Sequence, residues 1–139
     1  MKAYIDPDRD QFNAFKALPR DVPVMMLNLV KYRAKAQYED GRDATGAEAY
    51  AAYGRESAAV FERVGGKIIW RGKPEVMLIG PYEKQWDEIF VAHYPTASAF
   101  LEMVTDPTYR EAVKHRQAAV EDSRLIRTSE VRLGGGFAG

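Results

Sequence analysis

Cysteine is absent from all 139 positions, so the chain can form no disulfide, offers no thiolate nucleophile and has no thiolate ligand for a metal. A reducing compartment fits that absence, and the cytoplasm is the expected location. No apolar run approaches the roughly 20 residues that cross a bilayer. The opening MKAYIDPDRD follows its one lysine with acids rather than an apolar stretch, unlike a secretory signal, so no membrane association is expected. An excess of either charge is missing too, since 20 Lys and Arg stand against 20 Asp and Glu. No long-range field therefore gathers phosphate backbones, and nucleic acid is not an expected partner. There is no Walker loop, dinucleotide glycine fingerprint, nucleophile elbow or zinc-protease helix motif. Nucleotide-driven, hydride-transfer and serine-hydrolase chemistry are disfavoured accordingly. With two histidines and no carboxylate at ligand spacing from them, neither a metal nor a cofactor is expected.

What is present is an ordinary globular composition, 46% hydrophobic and 29% charged, in a chain long enough to bury about two thirds of its unfolded surface in one core. Asp6 and Pro7 predict the start of a short helix carrying Phe12, Phe15 and Leu18 and stopped by Pro19. The run from Pro23 to Arg33 reads as a buried strand with Met26, Asn28 and Val30 on one face and Met25, Leu27, Leu29 and Lys31 on the other. AKAQYEDGRDA is polar and aperiodic, a long loop that is either a lid or a mobile solvated insertion. Thr45 and Glu48 form a capping box, and Gly65 and Gly66 end the helix that follows. KIIWRGKPEVMLIG then predicts strand on both sides of a bend at RGKPE. QWDEIFVAHYP predicts a strand with Trp86, Glu88, Phe90, Ala92 and Tyr94 on one face and Asp87, Ile89, Val91 and His93 on the other. Helices follow from Thr96 and from Asp106–Pro107, and SRLIRTSEVRL predicts the last strand.

After the leading helix the order is strand, helix, strand, strand, helix, strand, which is the split βαβ pattern (βαββαβ) of α+β ferredoxin-like folds. The expected organisation is an N-terminal helical extension over 1–22, a ferredoxin-like domain over 23–133 and a flexible glycine-rich tail over 134–139. Two helices cover one sheet face. The other face stays apolar, and a homodimer that pairs two such faces is the simplest way to cover it.

Tyr50 and Tyr53, the GGK that follows their helix, Arg71 with Gly72, YPTASAF and TDPTYREAVKHRQAAVEDSRL together resemble the DUF1330 family, a domain family of unknown function. The resemblance spans roughly residues 24 to 133 and is most specific from Tyr109 through Arg116 to Leu125. It implies a dimeric α/β barrel akin to small cofactor-free monooxygenases and isomerases, with a pocket between sheet and helices, and it implies no catalytic residue. The N-terminal twenty or so residues and the charged loop look like additions to the family pattern. Where the family commonly has Arg-Gly-Gly, this chain has Arg71, Gly72 and Lys73, which puts a side chain at a position where backbone could otherwise approach a ligand.

Several residues qualify for chemistry. Asn28, the one polar residue in an apolar strand, either faces a pocket or pairs with backbone or a buried water. His93, near a strand end, is the acid or base candidate, or else a structural histidine. His115 reads as solvent-exposed. Arg71 and Arg116 suit anion clamping, or internal salt bridges to Glu121, Asp122 or Asp87. Tyr50, Tyr53, Tyr109 and Trp86 supply flat walls with polar handles, in a pocket or in the core and dimer interface. The readings that follow are a cofactor-free enzyme of monooxygenase or isomerase type acting on a small organic, aromatic or carboxylate substrate, with His93 and Arg71 catalytic; a non-catalytic ligand-binding module; and a protein-assembly module.

Overall fold

In the computed structural model, which describes residues 2–137, the longest helix starts and stops on side-chain chemistry. The Thr45 hydroxyl accepts from the Glu48 amide at 3.0 Å and the Glu48 carboxylate accepts from the Thr45 amide at 2.8 Å, so two of the helix's orphan donors are satisfied. At the far end Gly65 takes φ 85°, its amide donates to the Glu62 carbonyl at 3.0 Å, and the Gly66 amide donates to Phe61 at 2.9 Å. That double closure is a Schellman motif, and it turns the chain directly into a strand.

The elements are α1 (Arg9–Ala17), β1 (Val24–Tyr32), α2 (Gly46–Arg63), β2 (Lys67–Gly72), β3 (Glu88–Tyr94), α3 (Ala97–Thr105), α4 (Pro107–Ala119) and β4 (Val120–Thr128). The four strands form one antiparallel sheet in the order β2-β3-β1-β4. This is the α+β ferredoxin-like arrangement with α1 added in front. Asn28 lies opposite Phe90 on one side and Leu125 on the other, and Phe90 lies opposite Arg71. Side chains in register share a face, so the helix-covered face carries Met26, Asn28, Val30, Glu88, Phe90, Ala92 and Arg71.

Two apolar clusters fix the helices to that face. Val24, Met26, Ala92 and Tyr94 pack with Val60 of α2 and Val64 just after it, Phe100 and Met103 of α3 and Tyr109 of α4. Val30 and Val120 pack with Ala36, Ala49, Ala118 and Ala119, whose small side chains let helix and sheet approach. Phe90 touches both clusters, with Tyr53 at the border of the first and Tyr32 and Tyr50 at the border of the second.

Several predicted boundaries move. Helix α1 is capped by Asp8, which accepts from the Gln11 amide at 2.8 Å, while Asp6 receives the Gln117 side chain. EVMLIG forms no strand. Val76, Leu78 and Ile79 are 80–91% exposed, and the segment does not add to the free edge of β2. Strand β4 begins at Val120 and ends at Thr128, earlier than its alternating pattern suggested. The charged loop is docked, not mobile: Ala36 is buried, the Gln37 amide donates to Ala118 at 2.9 Å, and the Tyr38 hydroxyl meets His115 Nδ1 at 2.6 Å. His115, expected in solvent, has a side chain only 15% exposed, and its Nε2 meets Glu56 at 2.7 Å. Ala138 and Gly139 of the expected flexible tail lie outside the described residues.

The N-terminal segment is strapped to β4. Asp122 accepts from the Tyr4 amide, from Lys84 and from Arg124 at 2.7–2.9 Å, tying three separate stretches of chain to one buried carboxylate. Burial by itself would raise its pKa, but the hydrogen bonds from Lys84, Tyr4 and Arg124 outweigh that and hold it at about 2. A folded value below the unfolded one means the stabilisation is complete above the ordinary carboxyl range and is lost as pH falls through about 2. Asp122→Asn is expected to cost about 2 kcal/mol at pH 7, after a discount for partly exposed partners. The gap to the native chain in urea melts should shrink below about pH 4 and close near pH 2; a gap constant with pH would mean the carboxylate charge contributes nothing.

Candidate functional site

The aromatic residues at the border of the two clusters leave space between sheet and helices. It is a half-open cleft of about 1900 Å³ lined from the sheet by Met26, Asn28, Glu88 and Phe90, from α2 and α4 by Tyr50, Tyr53, Tyr109 and Arg116, and from the N-terminal segment by Phe12, Phe15 and Leu18. The cleft exists because Ala residues bring helix and sheet together at one end while ring-sized side chains hold them apart in the middle. Helix α1 walls its side: Phe15 lies 5.1 Å from the Phe100 ring, and Arg127 donates to the carbonyls of Phe15 at 3.2 Å and Pro19 at 2.6 Å. The charged loop, offered as a lid by the sequence, does not line this cleft; the N-terminal extension does.

One end of the cleft is polar. Glu88, only 8% exposed, accepts from Arg71 Nε at 2.6 Å on Oε1 and from the Tyr32 hydroxyl on Oε2. A buried carboxylate is tolerable only when its oxygens are satisfied, and here a cation and a phenol do so. Arg71 keeps a side chain 70% exposed. A smaller recess of about 350 Å³ opens beside it, lined by Tyr32, Arg71, Gly72, Lys73, Asp87 and Glu88. Burial, then the bond to Glu88, pushes the Tyr32 hydroxyl well above the usual phenol range, so it stays a proton donor.

From Tyr32 the rings run along the wall, 5.2 Å to Tyr50, 5.4 Å on to Tyr53 and 6.0 Å on to Tyr109. The hydroxyls of Tyr53 and Tyr109 meet at 2.6 Å. Burial is the largest cause that raises the Tyr50, Tyr53 and Tyr109 phenols above the usual phenol range. Asn28 Nδ2 donates to the Met26 carbonyl at 3.1 Å, leaving Oδ1 without a protein partner among the described residues. Arg116 donates to the Ile5 carbonyl and, at 3.2 Å, to the Ser123 hydroxyl, which engages two of the guanidinium's N–H donors.

Of the residues singled out from sequence, Asn28, Tyr50, Tyr53, Arg71, Tyr109 and Arg116 line one cleft. His93 and Trp86 do not. His93 is in register with Met25 and Lys67 on the opposite sheet face, because it is out of phase with Glu88 and Phe90 along the same strand. Trp86 precedes β3 and lies under the Arg124 guanidinium at 5.3 Å. The expected salt bridges of Arg71 to Glu121, Asp122 or Asp87 are replaced by the one to Glu88. Sequence reasoning missed Glu88 and Tyr32 as site residues. Their signal was a polar group in phase with the apolar side of an alternating strand, the same signal that marked Asn28. Among the described residues no group of His, Asp and Glu is arranged to hold a metal ion, and no helix is long and apolar enough to cross a membrane.

The family profile described as a domain of unknown function, DUF1330, matches residues 41–128. A solved structure of a protein of unknown function from Rhodopseudomonas palustris is 57% identical, with TM-score 0.91, over 95% of this chain and 100% of that one. A methylated form of the same protein is 58% identical with TM-score 0.94, over 97% and 100%. More remote are a dimeric protein of unknown function and ferredoxin-like fold from Bacteroides fragilis, 13% identical, TM-score 0.51, over 78% and 96%, and the cofactor-independent oxygenase SnoaB from Streptomyces nogalater, 16% identical, TM-score 0.52, over 81% and 96%. These two share the fold alone. No curated protein matches the chain.

Proposed function

The chain belongs to the DUF1330 domain family, whose function is unknown, and from that premise we propose that it binds a small organic molecule in the cleft between sheet and helices and acts on it without a cofactor, Glu88 serving as the acid or base. The observation that carries this reading is Glu88 itself, a buried carboxylate at the floor of a large aromatic cleft, held by an arginine whose outer side remains open. General acid–base catalysis needs a proton acceptor placed within hydrogen-bond reach of the ligand, and Glu88, only 8% exposed and lining the cleft, supports that role. Arg71 orients a carboxylate or other anionic group at the mouth, Asn28 Oδ1 accepts a donor from the ligand, and Tyr50 covers its flat face. His93, proposed from sequence as the acid or base, has no part in this scheme because it faces away from the cleft.

A thermal-shift screen against aromatic acids, phenols and cyclic ketones tests the reading. A ligand at 100 times its dissociation constant stabilises the fold by roughly 2.7 kcal/mol, and a carboxylate hit should lose most of that shift in Arg71→Ala. A screen without a single stabilising compound would count against any pocket function and move the search to protein partners. A non-catalytic binding module is the second reading, favoured by one observation: both Glu88 oxygens are already engaged, as in a structural ion pair. It predicts binding without consumption of any ligand.

The protein is further proposed to act as a homodimer through the open sheet face. Leu27, Leu29, Ile89 and Val91 are half-buried there, and Trp70 and Ile126 are 55% and 48% exposed, which makes a contiguous apolar surface over which no element among the described residues packs. The Bacteroides fragilis neighbour of the same fold is described as dimeric, which agrees with a homodimer. Light scattering should return twice the 15.7 kDa chain mass, and Val91→Glu, which puts a charge at the middle of that face, should return the monomer. A wild-type monomer at micromolar concentration would refute the pairing.

A further inference from the structure

Two hydroxyls in contact carry two hydrogens, and only one is used between them. Tyr53 and Tyr109 meet at 2.6 Å, and among the described residues neither has another hydrogen-bond partner. The remaining O–H lies in an apolar cleft, where an unsatisfied donor costs about 1–3 kcal/mol. Nothing else on the wall removes that cost. The nearby charged group, Arg116, is itself a donor and is committed to Ile5 and Ser123, and the Tyr94 hydroxyl is turned to the Met103 sulfur. The pair therefore leaves one O–H facing the cleft for an acceptor from outside the chain, water or a ligand.

We propose that the Tyr53–Tyr109 pair is the oxygen-binding end of the cleft and takes a carbonyl or phenol oxygen of the ligand. Tyr109 is 8% exposed and Tyr53 is the more open of the two, so Tyr109 donates to Tyr53 and Tyr53 donates to the ligand. Tyr53 touches the ligand; Tyr109 is a positioning residue that polarises it, since hydrogen bonds in a chain strengthen one another. Because both are neutral donors on a largely apolar wall, they suit an uncharged oxygen or an anion delocalised over a ring or enol. A localised carboxylate belongs instead at Arg71. The cleft thus discriminates between its two ends, and a ligand with a ring oxygen at one end and an acidic group at the other matches both. This inference rests on the ligand-binding reading above and names the ligand class for it.

Ring-substituted phenols graded in acidity, 4-nitrophenol among them, provide the probe, with dissociation constants from calorimetry on the full chain. Affinity for the native protein should vary systematically with phenol acidity, as expected when the oxygen accepts a hydrogen bond. Tyr53→Phe should weaken binding by about tenfold and flatten that dependence. Tyr109→Phe, equal in shape, should weaken it less while reducing the slope, a change that loss of packing alone would not produce. Unchanged affinity and slope in Tyr53→Phe would overturn the inference while leaving the cleft a binding site, as would a slope abolished by Tyr50→Phe and kept by Tyr53→Phe. Native protein that binds aromatic acids but no phenol would also overturn it, and native protein that binds neither would overturn the ligand-binding reading as well. Should Tyr109→Phe fail to fold, the Tyr53→Phe comparison decides alone.

Discussion

Glu88→Gln is expected to reduce turnover of a ligand found in the cleft by about two to four orders of magnitude, the usual contribution of a positioned acid or base, while leaving its binding nearly intact. The substitution separates chemistry from structure unusually well. Glutamine keeps an oxygen that can accept from the Tyr32 hydroxyl, and the arginine it abandons has a side chain 70% exposed, so no cation is left buried without a partner. The stability cost should stay within about 1 kcal/mol, in the range of ion pairs with one solvated member. Steady-state kinetics with calorimetric binding and a thermal melt on the same variant would establish this. Turnover within a few-fold of the native protein's would remove Glu88 from the proposed reaction, and the carboxylate would then be a structural anchor for Arg71 and Tyr32.

Gly46→Ala should cost more than about 3 kcal/mol and produce poorly folded protein, although alanine is the better helix former. Gly46 is the first residue of α2, directly after the Thr45 cap, and a β-carbon there would stand 2.0 Å from the Arg33 carbonyl oxygen and 2.8 Å from its nitrogen. Both atoms are backbone, at the point where β1 hands over to the docked loop. The Arg33 amide is itself bonded to Ala119 at 2.7 Å, so relief would require moving the helix start, and with it Ala49, Tyr50 and Tyr53, away from the sheet. Overpacking of this kind usually costs 1–3 kcal/mol when side chains can adjust; here the obstacle is backbone. Chemical denaturation of Gly46→Ala beside Gly54→Ala, at a position with open space around it, would isolate the contact. Equal stability of the two would refute it.

Much of this molecule was legible from local chemistry. The Thr45–Glu48 box, the Gly65 cap and the Asp106–Pro107 start are decided within a few residues, because the hydrogen bonds that define them are local. Alternation along β1 and β3 sorted Asn28 from Leu29 and Glu88 from His93 onto opposite faces, since a strand has no other choice. The element order then gave the ferredoxin-like sheet. Less legible were segments whose state depends on a distant partner. EVMLIG has strand chemistry but pairs with no strand among the described residues, and the charged loop, polar throughout, is held by Ala118 and His115 on a helix more than seventy residues away.

The tertiary structure alone decided which face of the sheet the helices cover, and with it the fate of every candidate for chemistry. The sequence separated His93 from Glu88, but the sides are equivalent until α2 and α4 pack on one of them; the packing put Glu88 in the cleft and His93 on the open face. Register did the rest. Arg71 comes opposite Phe90 and within reach of Glu88 only because β2 pairs with β3 through a bulge between Ile68 and Trp70, and Tyr53 meets Tyr109 only because α2 and α4 lie side by side. Sequence sets what each residue can donate, accept or bury; contacts between residues 17 and 56 positions apart are set by how whole elements pack.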